Sequence, residues 1–270
     1  MVTTDKLFAG SIPEIYDRYM VPLIFEVYAG DLAERGARVK PQNLLETAAG
    51  TGVLTRAIAA RLPAQARIMA TDLNQAMLDH AATKQSQPNR VTWRQADALA
   101  LPFEDKTFDV VACQFGAMFF PDKVAAYREA RRVLQPRGHF FFNVWDKISA
   151  NEFADVVTQA LATVFPQDPP RFMARTPHGY HDVEKIRAEL TAAGFAGVSI
   201  ETVEHRSRAA SPSDAAIAYC QGTPLRNEIE ARDASRLAEA TQAATDALAA
   251  RFGNGPVDGR IRAHVITATG

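Results

Sequence analysis

The sequence predicts an α/β protein, a mostly parallel seven-stranded sheet with helices on both faces and additional helical segments. Two observations lead to this. Short apolar runs alternate with helix-like segments from residue 43 to residue 146, and one run, Phe108 to Phe115, is apolar nearly throughout. Such a run is typical of a strand that is buried on both faces. Repeated strand–helix units of this size favour a parallel sheet that is covered by helices.

Each strand and helix follows from a local pattern. Strands are expected at 43–47, 66–72, 90–97, 108–115, 138–146, 197–207 and 259–270. Amphipathic helices are expected at 52–63, 74–85, 122–136 and 182–195, the last closed by Gly194, and a long helical stretch at 211–253. The residues between 147 and 182 do not continue this alternation of strands and helices.

The first 38 residues are also predicted to be helical. Ser11 is placed to cap the first helix, with Pro13 in its first turn. A second helix is expected to start after Pro22, with an apolar side that contains Leu23, Val27 and Leu32.

Composition and charge narrow the classes of function. The chain has 270 residues, is 47% hydrophobic and has a net charge of -1, so no basic excess indicates nucleic acid or an anionic membrane. No apolar run reaches the roughly 18 residues of a transmembrane helix, and no signal peptide is recognised. The two cysteines have no metal-ligand spacing, so no metal is expected. We therefore expect a cytoplasmic protein; a homodimer is compatible with the sequence.

The loop after the first strand, "ETAAGTG" from Glu46 to Gly52, has the outline of a nucleotide-binding turn. Ligands of open parallel sheets bind at the carboxyl ends of the strands. Gly50 and Gly52 let the backbone approach a ligand, and the following helix N-terminus suits a carboxylate or phosphate. Asp72 ends the second strand, where a carboxylate can accept hydrogen bonds from a ribose diol. These features fit NAD, S-adenosylmethionine or a plain tight turn.

Three further residues favour S-adenosylmethionine over NAD. Thr55 stands where the third glycine of a dinucleotide fingerprint would fall. Glu46 places a negative charge where a pyrophosphate is repelled and an α-ammonium group is favoured. Asp97, followed by the small Ala98, ends the third strand and can accept from the adenine amine. An NAD(P)-dependent oxidoreductase stays an alternative, although the chain lacks a Tyr-x-x-x-Lys pair.

Four segments in order carry a family resemblance: "LLETAAGTG", "ATDLNQAML", "QADALALPFEDKTFDVVACQF" and "REARRVLQPRGHFFFNVWD". Over about residues 40–146 the chain resembles the class I S-adenosylmethionine-dependent methyltransferases, closest to the small-molecule type called methyltransferase domain 11/25. The resemblance implies a Rossmann-like fold and S-adenosyl-L-methionine as cofactor, with S-adenosyl-L-homocysteine as product. It further implies methyl transfer to an O, N or C atom of a small, partly apolar molecule. A non-catalytic cofactor-binding protein on this fold is the second alternative.

The resemblance also implies the residues that bind the cofactor. The loop residues match the family's acidic, glycine-rich loop around the methionine part, Asp72 matches the ribose acid, and Gln114 with Phe115 matches the lining of the sulfonium. Ala48 departs from this pattern, because the family has glycine there. An alanine is tolerable if its φ is negative, whereas a positive φ would weaken the assignment. The expected cofactor residues are Tyr16, Tyr19, Glu46, Ala48, Gly50, Thr51, Gly52, Asp72, Leu73, Met77, Asp97, Ala98, Gln114 and Phe115.

The methyl acceptor is expected above the fourth and fifth strands. In-line methyl transfer needs alignment and exclusion of water, and it needs a base only if the nucleophile starts protonated. No catalytic residue is therefore assigned, with His178 and Tyr180 as candidates for a base. An aromatic-lined cleft suits a small organic acceptor. The expected substrate residues are Phe25, Phe119, Phe120, Trp145, His178, Tyr180 and Tyr219.

The organisation that follows is one methyltransferase domain over residues 1–270. Residues 1–38 are interpreted as a helical lid and residues 40–146 as the cofactor-binding core. Residues 147–182 and 207–258 are interpreted as helical additions on the substrate side. The expected partner is a small-molecule methyl acceptor, with neither nucleic acid nor membrane.

Overall fold

Seven strands form one sheet in the computed structural model, which describes residues 12–85 and 90–270. The order across the sheet is third, second, first, fourth, fifth, seventh, sixth strand. The four pairings among the first five strands are all parallel. This confirms the predicted fold class. The strands are β1 (Asn43–Glu46), β2 (Arg67–Asp72), β3 (Val91–Gln95), β4 (Phe108–Gln114), β5 (Leu134–Trp145), β6 (Gly197–Ala209) and β7 (Val257–Thr269).

Helices fill most of the remaining described chain. A π-helix, Tyr16–Phe25, lies between the first two α-helices, and three short 3₁₀ turns lie at Ala117–Phe119, Ile148–Ala150 and Ala234–Arg236. The α-helices are α1 (Ile12–Ile15), α2 (Glu26–Arg38), α3 (Val53–Arg61), α4 (Gln75–Thr83), α5 (Lys123–Val133), α6 (Glu152–Val164), α7 (Phe172–Arg175), α8 (Val183–Ala192), α9 (Pro212–Gln221), α10 (Leu225–Asp233) and α11 (Leu237–Phe252).

The order of the strands fixes where a ligand belongs. β1 pairs with β2 on one side and with β4 on the other, so the strand order reverses between β1 and β4. In an open parallel sheet the crevice outside the carboxyl ends of the strands at such a point is the ligand site. The loop that follows β1 therefore starts at this crevice.

The chain divides into two compact units. The first comprises residues 12–27, 145–180 and 204–263, and the second comprises 28–85, 90–144, 181–203 and 264–270. In the second unit, apolar side chains of α2 and α3 pack with β1, β2, β4 and β5, and burial of each large side chain contributes about 1.5–3 kcal/mol. In the first unit, α11 packs against α6 and α9. That the chain forms one domain stays a prediction.

The N-terminal helical segment differs from its prediction at Pro22. The proline lies inside the π-helix, and α2 follows directly at Glu26, so no new helix begins after Pro22. The wider π turn also shifts the faces of the helix away from the α-helical period. Leu23 is buried as predicted, but Val27 is 38% exposed. The predicted cap, Ser11, lies outside the described residues.

The other predicted strands and helices are present, with some of their boundaries shifted. β5 begins at Leu134, four residues earlier than predicted, and α5 ends at Val133. Gly194 follows α8 with a φ of +96°, as expected for a helix-closing glycine. Cys113 and Cys220 are both free and buried. Among the described helices, none is long and apolar enough to span a membrane.

Candidate cofactor and acceptor site

The loop after β1 is held between the ends of two neighbouring strands. The Thr47 N–H donates to Ala112 O of β4, and the Ala49 N–H donates to Thr71 O of β2, both over 2.9 Å. Gly52 precedes α3 with a φ of +77°, and a Cβ at this position would lie 3.0 Å from the Trp93 ring. The loop therefore needs glycine at 52 for both conformation and space.

Ala48 has a φ of +53°, so the condition that its φ be negative is not met. An L-residue in this left-handed region costs roughly 1–2 kcal/mol. The methyl group is accommodated by Gly116, which follows β4: a Cβ built at Gly116 would lie 2.4 Å from the Ala48 Cβ. The glycine that the family has at position 48 is thus missing here, and a second glycine opposite it makes room for the alanine.

Glu46 ends β1 in a buried position, 1% exposed. Burial raises the pKa of its carboxyl to about 8, although the Thr55 hydroxyl donates to Oε2 over 2.6 Å and acts in the opposite direction. Burial thus opposes the negative charge expected at Glu46 and favours the protonated form in the protein without ligand. An ammonium group placed beside Glu46 would favour the ionised form.

Asp72, at the end of β2, is tied to the β1 loop. Its Oδ2 accepts from the Gly50 N–H and its Oδ1 from the Asn74 N–H, each over 2.8 Å. Burial raises the pKa of Asp72, and these backbone hydrogen bonds oppose that shift. Each carboxylate oxygen can accept more than one hydrogen bond, so the arrangement keeps capacity for a ribose hydroxyl.

The residues expected near adenine lie along the ends of β2 and β3. Leu73 is 50% exposed, and Met77 is buried on α4. Asp97 follows β3 by two residues instead of ending it, and its Oδ1 accepts from the Leu99 N–H over 2.9 Å. Ala98 is half-buried. The Ala96 N–H donates to Asp72 O over 3.0 Å, which brings the two strand ends together.

Gln114 and Phe115 lie where the chain leaves β4. Gln114 is buried and pairs in register with Asn143 of β5. Phe115 has a φ of +50°, and its N–H donates to Asn143 Oδ1 over 2.9 Å and to the Asn143 backbone oxygen over 3.2 Å. The Tyr28 ring packs edge-on against Phe115. The structure thus gathers the predicted loop, ribose and sulfonium residues at the carboxyl ends of β1, β2 and β4.

The first unit contains a chain of aromatic contacts. Tyr16 and Phe25 have ring centroids 5.2 Å apart, Phe25 and Trp145 5.9 Å, and Trp145 and His178 6.0 Å. Four of the predicted residues are therefore neighbours although they are distant in sequence. Tyr19 lies on the same π-helix as Tyr16, with the Arg18 guanidinium 5.0 Å from its ring.

His178 is held by the backbone of Asp146. Its Nδ1 lies 2.8 Å from Asp146 O, and a carbonyl oxygen only accepts, so Nδ1 carries the proton. In the neutral ring the lone pair then sits on Nε2, which is the form a general base requires. Tyr180 and Tyr219 are buried, and burial raises the pKa of Tyr219.

Phe119 and Phe120 lie in the second unit, after β4. Phe119 ends the 3₁₀ turn and is half-buried, whereas Phe120 is buried. The carbonyl oxygen of Phe120 accepts from Lys123 Nζ over 2.8 Å.

Sequence reasoning missed two residues of this region. Thr55 was considered only as the absent third glycine, whereas it is the hydrogen-bond donor to Glu46. Gly116 was not considered, and it is what admits Ala48. A signal existed for Thr55, because it lies in the first turn of the helix after the loop. No sequence signal connects positions 48 and 116.

Comparisons with known proteins agree with this geometry. Residues 45–142 match the sequence model of a family described as methyltransferase domain. The ubiquinone/menaquinone biosynthesis C-methyltransferase UbiE of Idiomarina loihiensis is 31% identical over 173 residues, which are 60% of this chain and 69% of that protein.

Two solved structures share the fold. YcgJ from Bacillus subtilis has a TM-score of 0.56 at 18% identity, over 90% of this chain and 97% of that one. Phosphoethanolamine N-methyltransferase 2 of Haemonchus contortus, in complex with S-adenosyl-L-methionine, has a TM-score of 0.61 at 16% identity, over 100% of this chain and 60% of that one.

The strand order, the family match and the UbiE relative together identify the chain as a class I S-adenosylmethionine-dependent methyltransferase. The chain belongs to the methyltransferase-domain family, and it transfers a methyl group from S-adenosyl-L-methionine to a small molecule. The nicotinamide alternative is thereby set aside.

Proposed function

We propose that the acceptor is an electron-rich hydroxylated ring of the quinol class and that the methyl group is transferred to a ring carbon. The observation that carries this proposal is the similarity to a C-methyltransferase named for ubiquinone and menaquinone biosynthesis. The aromatic contacts of Tyr16, Phe25 and Trp145 support it, because flat apolar side chains suit a flat ring.

The residues around the β1 loop fit the cofactor. A Cβ at Gly50 would meet no atom within 4 Å, so there is open space beside this part of the backbone. Thr51 Oγ1 is buried with no hydrogen-bond partner among the described residues, as expected for a group that completes its bonding with a ligand. We infer that Glu46, Gly50 and Thr51 hold the methionine part, Asp72 the ribose, and Leu73, Met77 and Asp97 the adenine.

The chemistry needs little from the protein beyond alignment. Bound S-adenosyl-L-methionine supplies an electrophilic methyl group on its sulfonium. A new bond forms between this carbon and the ring carbon beside a hydroxyl as the sulfur–carbon bond breaks, and the ring then loses one proton. We infer that His178 is the base, because Asp146 O holds the proton on Nδ1 and leaves the lone pair on Nε2.

Incubation of the protein with methyl-labelled cofactor and 1,4-naphthoquinol under anaerobic conditions tests the acceptor class. The expected product carries label on ring carbon, and both of its hydroxyl groups still react with an acylating reagent. Label on oxygen, or no transfer by a protein that binds S-adenosyl-L-homocysteine, contradicts the proposal.

An Asp72→Ala variant tests the proposed cofactor site separately from the acceptor. It should weaken S-adenosyl-L-homocysteine binding at least about tenfold, since the inferred hydrogen bond from the ribose to the Asp72 carboxylate is lost. Calorimetry measures this without any acceptor. Unchanged affinity would contradict the ribose assignment and leave the acceptor assignment untouched.

We also infer a cytoplasmic protein that acts without nucleic acid. The net charge of -1 and the two free, buried thiols support this. Assembly as a homodimer stays a prediction, and sedimentation would test it.

A further inference from the structure

Asn143 carries a buried amide group that the described chain satisfies only in part. The residue is fully buried, and its Nδ2 has no hydrogen-bond partner among the described residues. The orientation of the amide is determined, because Oδ1 accepts from the Phe115 N–H over 2.9 Å. A buried donor without a partner costs about 1–3 kcal/mol, and such groups are rare in folded proteins. A bound oxygen atom would relieve this cost.

The sheet places this donor beyond the methyl group. From β3 through β2, β1 and β4, the strand ends carry the residues inferred to hold adenine, ribose, methionine and sulfonium, in that order. β5 is next in this series, and its Asn143 pairs in register with Gln114 of β4. Neighbouring strands are about 4.8 Å apart, so Asn143 lies one strand further along than the end of the cofactor.

We propose that Asn143 Nδ2 donates a hydrogen bond to a ring oxygen of the methyl acceptor. This inference rests on the quinol acceptor proposed above. A primary amide donor selects an oxygen with lone pairs and gives nothing to a cationic group. The bond would fix the ring so that the carbon beside the oxygen faces the sulfonium. Asn143 is then a binding residue that determines which ring position is methylated.

The test uses an Asn143→Leu variant, which has the same number of side-chain heavy atoms. The Phe115 N–H keeps its second acceptor, the backbone oxygen of residue 143, so the turn after β4 should persist. The dissociation constants of S-adenosyl-L-homocysteine, and then of 1,4-naphthoquinol in its presence under anaerobic conditions, are measured by calorimetry. We expect an unchanged constant for the first ligand and one about tenfold weaker for the second.

A second variant, Asn143→Asp, keeps an acceptor for the Phe115 N–H and replaces the Nδ2 donor with a carboxyl oxygen. It should weaken naphthoquinol binding to a similar extent, and it preserves the test if the leucine variant fails to fold. Equal naphthoquinol affinity in wild type and in the folded variants overturns the role of Asn143 alone. Weaker S-adenosyl-L-homocysteine binding with unchanged naphthoquinol binding overturns it as well, because the donor then serves the cofactor. A wild-type protein that binds S-adenosyl-L-homocysteine but no naphthoquinol overturns the proposed acceptor and this role together.

Discussion

Each unit of the molecule contains a buried asparagine, and the two side chains differ in their hydrogen bonding. In the first unit, Asp146 accepts from Arg262 Nε and from the Lys147 N–H, each over 2.6 Å. Asn151 is 1% exposed, donates through Nδ2 to the oxygens of Asp146, Lys147 and Arg262, and accepts from the Arg262 N–H. Both the donor and the acceptor of this amide are used within the protein.

At the strand ends of the second unit, polar side chains are equally buried but form fewer hydrogen bonds. Glu46 has Thr55 as a neutral partner, and its pKa is raised by burial to about 8. Asn143 Nδ2 and Thr51 Oγ1 have no partner among the described residues. Burial alone therefore does not distinguish a structural amide from a binding one. The two amides are distinguished by their bonding, because the unused donor of Asn143 leaves a role for a ligand and the fully used amide of Asn151 does not.

The largest effect is expected when the satisfied amide is removed. Asn151→Leu removes the acceptor of the Arg262 N–H and the two N–H donors that three backbone oxygens share, so the free energy of unfolding should fall by about 3 kcal/mol. Asn143→Leu, which loses one bond, should change it by about 1 kcal/mol at most. Urea unfolding of both variants measures the difference. Equal losses would remove the distinction between the two asparagines.

The next effect concerns the charge state of Glu46. Because its folded pKa is raised from 4.5 to about 8, the folded state holds this proton more tightly than the unfolded state. The associated stability is fully present below pH 4.5 and is lost as the pH rises through 8, at about 1.4 kcal/mol per pH unit at most. Glu46→Gln removes this titration.

The free energy of unfolding of Glu46→Gln, relative to wild type, should therefore rise by about 2–3 kcal/mol from pH 5 to pH 7. Urea unfolding at several pH values measures it. A pH-independent difference between the two proteins would show that the pKa of Glu46 is not raised in the folded state.

The smallest effect concerns the backbone of the β1 loop. Gly116→Ala should lower the free energy of unfolding by about 2 kcal/mol, because its Cβ would lie 2.4 Å from the Ala48 Cβ. In an Ala48→Gly background the loss should shrink by about 1 kcal/mol, since that contact is gone and the Cys113 Sγ contact at 2.8 Å remains. The cycle compares wild type, the two single variants and the double variant. If the two changes in the free energy of unfolding simply add, the Ala48 and Gly116 side-chain positions do not contact each other.

The sequence alone predicts most of the sheet and the identity of the cofactor loop. Apolar runs such as Phe108 to Gln114 locate the strands, because burial on both faces demands them. The π-helix around Pro22 is not predictable in this way, since its turn departs from the period on which helix prediction depends.

The site is predictable only where a motif specifies it. Gly50, Gly52 and Asp72 could be predicted from the sequence, because a nucleotide-binding turn needs glycines for close backbone approach and an acid after the next strand. The space for the Ala48 methyl group depends on Gly116, and the pKa of Glu46 depends on burial, so both need the tertiary structure. The open donor of Asn143 needs a complete account of its hydrogen bonds.

The contact between Ala48 and Gly116 constrains how this chain can change over evolutionary time. A larger residue at 116 meets the Ala48 methyl group, whereas with glycine at 48 part of that space is open. A side chain at 116 is therefore hindered most when 48 is alanine, and the Cys113 Sγ contact at 2.8 Å hinders it in either case. Among related chains, we expect alanine at the first position to be accompanied by glycine at the second.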